Sequence, residues 1–176
     1  MTLEAYADTI VPGERRTPDD RAVAGMAEGG GAVASGAVEL LELPGSGLGD
    51  MLEGFMAMLN GHAQEYAAEH DLTLDESVPA FVALPFADRT ALVLRLTAPG
   101  HEERGVWVGL AMFSNMAFDS AAHMSTADAL AAGHPGLLAI GYAKPEPDGV
   151  WRFPRFSYGR ALSQLHPHTT ATGSPA

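Results

Sequence analysis

Asn115, Asp119 and His123 recur at four-residue intervals inside the apolar stretch that begins at Val106. On an α-helix each four-residue step advances the azimuth by only about 40° beyond a full turn, so this spacing predicts a polar stripe on one side. A carboxylate four residues from a histidine can hydrogen-bond its ring, fix the tautomer and raise its basicity, and a neighbouring amide can bind a carbonyl oxygen. These are the parts of a general acid–base site: His123 as acid or base, Asp119 as its orienting partner, Asn115 as the oxygen-binding group. The same stripe also suits a polar contact between helices. Burying such groups unpaired costs about 1–3 kcal/mol each, so either reading requires partners.

Methionines cluster near the stripe and on the earlier segment that carries His62 and His70. Methionine fills irregular space, and with aromatic residues it suits a pocket for a bulky apolar ligand. Trp107, Met112, Met116, Trp151 and Tyr158 are therefore the expected substrate-binding residues, and an apolar, aromatic small molecule is the expected ligand. His62, Tyr66 and His70 repeat the four-residue spacing, but the two histidines stand too far apart on a helix to share one ion. The chain has no cysteine and no pair of Glu-x-x-His motifs, so neither a metal nor an organic cofactor is expected. The run "EGGGAVASG" lacks the Lys-Ser/Thr of a phosphate loop and reads as close backbone packing.

The elements that must position these residues are helical. Leu3, Tyr6, Ala7 and Ile10 predict a first helix that Pro12-Gly13 ends. "TPDD" at 17–20 has the residues of a helix start, predicting a second helix that runs to Pro44 with a break at Gly29-Gly30-Gly31. Leu48, Met51, Leu52, Phe55, Met58 and Leu59 begin a long helix that continues past Tyr66. Another opens after Pro85, with Leu92, Val93 and Leu96 as its buried face, and closes at Pro99-Gly100. Residues 101–124 form the most apolar helix, placed at the centre, with Glu102 and Glu103 at its positive end. From Gly133 the prolines, glycines and aromatics predict an irregular cover, then a short helix near 157–167 and a disordered tail. The expectation is an all-α, single-domain helical bundle over 1–165 with an irregular aromatic-rich C-terminal segment, and a tail at 166–176.

Composition narrows the classes of function. The 176 residues carry 10 Lys plus Arg against 22 Asp plus Glu, a formal charge of -12. That charge repels phosphate backbones and anionic lipid, so no nucleic acid and no membrane partner is expected, while a homodimer is left open. The missing cysteines and an N-terminus without a basic leader and apolar run point to the cytoplasm.

Three stretches, "AYADTIVPGERRTPDDR", "LPFADRTALVLRL" and "GHPGLLAIGYAKPEPDGVWRF", occur in an order that resembles the gluconate 2-dehydrogenase subunit 3-like family, in its actinobacterial branch. The resemblance covers most of the chain. It implies a small helical protein that acts as a non-catalytic accessory subunit beside a flavin-containing dehydrogenase, with a flavoprotein as partner. Arg15-Arg16 is the only counterpart of that family's twin-arginine export signal, and no apolar run follows it. The residues themselves lead to a different first expectation: a cytosolic, cofactor-independent enzyme performing cyclisation, dehydration or isomerisation on an apolar aromatic metabolite. The actinobacterial resemblance would place that chemistry in secondary metabolism.

Overall fold

The structure, a computed structural model, describes residues 1–142. Among them are eight α-helices and no strand: α1 (Thr2–Ile10), α2 (Ala37–Glu42), α3 (Leu52–Glu69), α4 (Ala80–Ala83), α5 (Phe86–Thr97), α6 (Arg104–Ser120), α7 (Thr126–Ala132) and α8 (Pro135–Ala139). The all-α class holds. Contacts divide the chain after Ile140 into Met1–Ile140 and Gly141–Ala176. The expected boundary at 165, the aromatic cover beyond Tyr142, the helix near 157–167 and the tail all lie outside the described residues. No described helix is long and apolar enough to cross a membrane.

α6 is the central helix, as its composition requires. Trp107 and Leu110 are buried on it, and α1, α2, α5 and α8 all pack against it. The main core joins Leu3 and Tyr6 of α1, Leu59 and Tyr66 of α3, Phe81 of α4, Leu92 and Leu96 of α5, and Trp107. Tyr6 donates its hydroxyl to the Trp107 carbonyl at 2.6 Å, and burial pushes that phenol up, so it stays a donor. The predicted faces of α1 and α5 are those the structure packs inward, and so is that of α3 from Leu52 onward, whereas Leu48 and Met51 precede the helix and Met51 is exposed.

The second predicted helix is the main correction, because residues 17–36 are turns and bends and only Ala37–Glu42 is helical. Gly29 and Gly36 adopt φ of 75° and 84°, a left-handed conformation that interrupts a right-handed helix and that glycine reaches without a Cβ penalty. Side chains then supply the backbone partners a helix would have supplied. Buried Asp8 accepts from Gly13 N–H at 3.2 Å and Ala24 N–H at 2.8 Å, and Asp20 accepts from Ala22 and Val23 N–H, both at 3.1 Å. Buried Arg89 of α5 donates to the carbonyls of Arg21, Ala22, Val82 and Leu84. Burial raises the Asp8 carboxyl above its usual range, against the pull of its two N–H donors and the Arg89 charge. The irregular segment is thus folded onto α1 and α5 by two buried charges.

Two further differences lie near the end of the described chain. α7 was not predicted, although Ser125 caps it by accepting from Asp128 N–H. Within the predicted irregular segment, Pro135–Ala139 forms α8, with Pro135 at its first position and His134 as its cap.

Candidate functional site

α6 stops at Ser120, and the stripe stops with it. Ala121 takes a left-handed cap with φ 50°, and its N–H returns to the Ala117 carbonyl. α8 packs beside this turn, where Gly136 backs onto the Phe118 carbonyl so closely that a Cβ there would collide with it. Asn115 and Asp119 remain four apart on the exposed face of α6, but His123 lies past the cap, half-buried. Asp119 makes no hydrogen bond or ion pair with any described residue, so the Asp119–His123 couple is not formed. Trp107, expected at a pocket wall, has 0% exposure and belongs to the core. Trp151 and Tyr158 lie outside the described residues.

Two of the expected residues do meet. Met112 and Asn115 line an open groove of about 390 Å³ with Val108 and Ala111 of α6, Thr9 and Ile10 of α1, and Thr90, Val93, Leu94 and Thr97 of α5. Met116 is exposed one turn beyond Met112 on the same side of α6. Leu94 is 66% exposed and Met112 58%, so two walls of the groove present apolar surface to solvent. The three threonine hydroxyls and one of the two Asn115 amide N–H groups are spent on their own helices. Thr9, Thr90 and Thr97 donate to the carbonyls of Ala5, Phe86 and Val93 at 2.7, 2.9 and 2.8 Å, and Asn115 donates to that of Ala111 at 2.9 Å. No lining residue is titratable. The groove therefore offers apolar contact, the Asn115 side-chain oxygen as an acceptor and its second N–H as a donor, and it holds no acid or base.

His123 belongs to a second cluster. Its ring covers Gly36, where an added Cβ would fall 2.5 Å from Nε2 and 2.9 Å from Nδ1. The His134 ring stands 5.9 Å away. His134 accepts from Leu137 N–H through Nδ1 at 3.3 Å, so its Nε2 carries the proton and donates to the Ser35 carbonyl at 3.0 Å. Among the described residues only Ser35 Oγ and His123 Nδ1 are buried side-chain polar atoms without a partner, and both are here.

The earlier histidines are held separately. His62 donates through Nε2 to Glu103 Oε2 at 2.7 Å, the atom that also accepts from Trp107 Nε1 at 3.0 Å. The His62 ring beside it keeps the Glu103 carboxyl below the usual carboxylate range, and the expected place of Glu103 at the start of the central helix is correct. His70 stacks on Tyr66 with ring centres 4.0 Å apart. Among the described residues no three His, Cys, Asp or Glu side chains gather as a metal site.

Sequence reasoning missed the α1 and α5 walls of the groove, and it missed Ser35 and His134. One signal was readable: Leu94 sits out of phase with Leu92, Val93 and Leu96, and an apolar residue off the buried face of an amphipathic helix marks exposed apolar surface. Another was His134 before Pro135, a side-chain acceptor followed by a favoured first helical residue. The groove across three helices has no local signature.

The chain belongs to a family of unknown function, DUF5987, whose model matches residues 1–176. No curated protein and no solved structure matches it.

Proposed function

We propose that this protein is a non-catalytic accessory subunit whose α1–α5–α6 groove docks a larger partner, the role that its resemblance to the gluconate 2-dehydrogenase subunit 3-like family implies beside a flavin-dependent dehydrogenase. The observation that carries the reading is the chemistry of the groove. An open apolar surface without a titratable group, whose threonine hydroxyls already donate to their own helices, favours apolar association over proton transfer. The test is reconstitution. A purified flavin-dependent dehydrogenase is combined with the full chain, complex formation is followed by sedimentation, and dye reduction by the dehydrogenase is assayed with and without the chain. A stable complex with altered dehydrogenase activity is expected. No complex by sedimentation and no change in dye reduction with any flavin-dependent dehydrogenase tested would end this reading.

A second reading, a cofactor-independent acid–base enzyme acting on an apolar aromatic small molecule, draws support from one observation. Ser35 Oγ and His123 Nδ1 are the unpaired buried side-chain polar atoms of the described residues, and groups held at such a cost gather at reactive sites. On this reading His123 acts without Asp119. His123→Gln would then abolish turnover of a substrate while leaving the melting temperature nearly unchanged, and a variant that only loses stability would discard it.

A further inference from the structure

We propose that the α1–α5–α6 groove receives a short amphipathic helix of the partner, oriented with a basic residue over Asp119. The inference rests on the accessory-subunit reading and names the chemistry of what docks. Three observations carry it. First, the lining runs from Val108 to Asn115 on α6 and from Thr90 to Thr97 on α5, about two helical turns on each wall. That length suits anchors spaced three to four residues apart on an inserted helix. Second, the ends of the groove differ in their charged groups. Past Asn115 on the same face stands Asp119, exposed and without a partner among the described residues, beside the negative end of the α6 dipole. At the other end Arg104, in the first turn of α6, reaches the Thr97 carbonyl at 3.1 Å, with Glu102 and Glu103 beside it in sequence. An occupant with a base at the Asp119 end matches this arrangement. Third, the chain carries a net charge of -12, which repels a second copy and attracts a basic partner.

The probe is a synthetic Leu/Lys peptide with one apolar helical face, compared with its Lys→Glu twin and with a scrambled sequence of the same composition. The full chain is labelled at its methionine methyl groups and followed by NMR. Met112 and Met116 report on the groove, and the exposed Met26 and Met51 report on the rest of the surface. Binding of the Leu/Lys peptide should move Met112 and Met116 and leave Met26 and Met51 in place. The Glu twin should bind at least tenfold more weakly, and Asp119→Asn should weaken the Lys peptide about two- to fivefold. Leu94→Glu, at an exposed position, should abolish the shifts in a folded protein. Equal binding by the scrambled peptide, shifts at Met26 and Met51 instead, or shifts that survive Leu94→Glu would overturn the proposal. So would concentration-dependent self-association that Leu94→Glu removes, which would assign the groove to a second copy. A dehydrogenase complex that forms equally well with Leu94→Glu would leave the accessory role standing and remove only the groove from it.

Discussion

At the scale of single residues, the sharpest constraint is the contact between Gly36 and His123. Gly36→Ala would place a Cβ in a left-handed residue, at about 1–2 kcal/mol, and press it into the imidazole, at a further cost of about 1–3 kcal/mol. In a His123→Ala background only the first cost remains. Urea denaturation of the two single variants and the double variant should therefore give a coupling energy of about 1–3 kcal/mol, and simple additivity would mean the ring does not sit where it is described. Ser35→Ala provides the complementary measurement. Its hydroxyl is 1% exposed and has no partner, so removing it relieves an unpaired buried group, and thermal melting should show unchanged or raised stability. A fall of more than about 1 kcal/mol would show that Ser35 Oγ holds something in solution.

At the scale of elements, the irregular segment between α1 and α2 depends on ionised side chains where the helices depend on apolar faces. The Arg16 guanidinium, 2.6 Å from Asp20, pulls that carboxyl down to about 2, with burial opposing and the Val23 N–H assisting. A carboxyl depressed in the fold stabilises the protein at pH above its unfolded value, near 3.9, and that contribution disappears as pH falls through the folded value. Guanidinium unfolding between about pH 5 and pH 2 should show stability declining with acid, and Arg16→Met should flatten that decline over the same range. This segment also shows where the sequence was readable. α1, α3, α5 and most of α6 were legible because apolar spacing and proline stops act within a few residues of where they lie. Residues 17–36 were not, because "TPDD" is equally the start of a helix and a side-chain-stabilised turn. The choice was made by Asp8 and Arg89, which reach the segment from other helices. His123 was misplaced for the same kind of reason. Helical spacing was correct up to Ser120, and the left-handed cap at Ala121, beside the close approach of Gly136 from α8, has no signal in that spacing.

At the scale of the whole molecule, the floor of the groove is shared with the core through Val93, while its rim, Leu94 and Met112, stands apart. Leu94 and Met112 contribute surface to solvent and little to the packed interior, so Leu94→Glu should change folding free energy by no more than about 0.5 kcal/mol. Matching melting curves for the variant and the parent protein would confirm that any lost association is an interface effect, and a marked loss of stability would instead make Leu94 part of the fold. Of the expected ligand-contacting residues, Met112 was placed in this groove and Met116 beside it because exposed positions on one helix follow from period alone. Trp107 went to the core because its size and its bond to Glu103 favour burial. The bond between His134 and the Ser35 carbonyl has a consequence in time as well as in space. It spans 99 residues, and the bond from Tyr6 to the Trp107 carbonyl spans 101. The turn at Ser35 closes locally, through Ser35 N–H to the Gly31 carbonyl and Gly36 N–H to that of Val33, but a ribosome releases nearly all of Met1–Ile140 before His134 can reach the Ser35 carbonyl. Long-range closure of this kind slows folding relative to helices built from local contacts. During that interval the glycine-rich stretch before Ser35 lacks its final partner. His134→Ala should lengthen the interval, and in pulse proteolysis during refolding cleavage near 28–36 should persist after α3 and α5 have become protected.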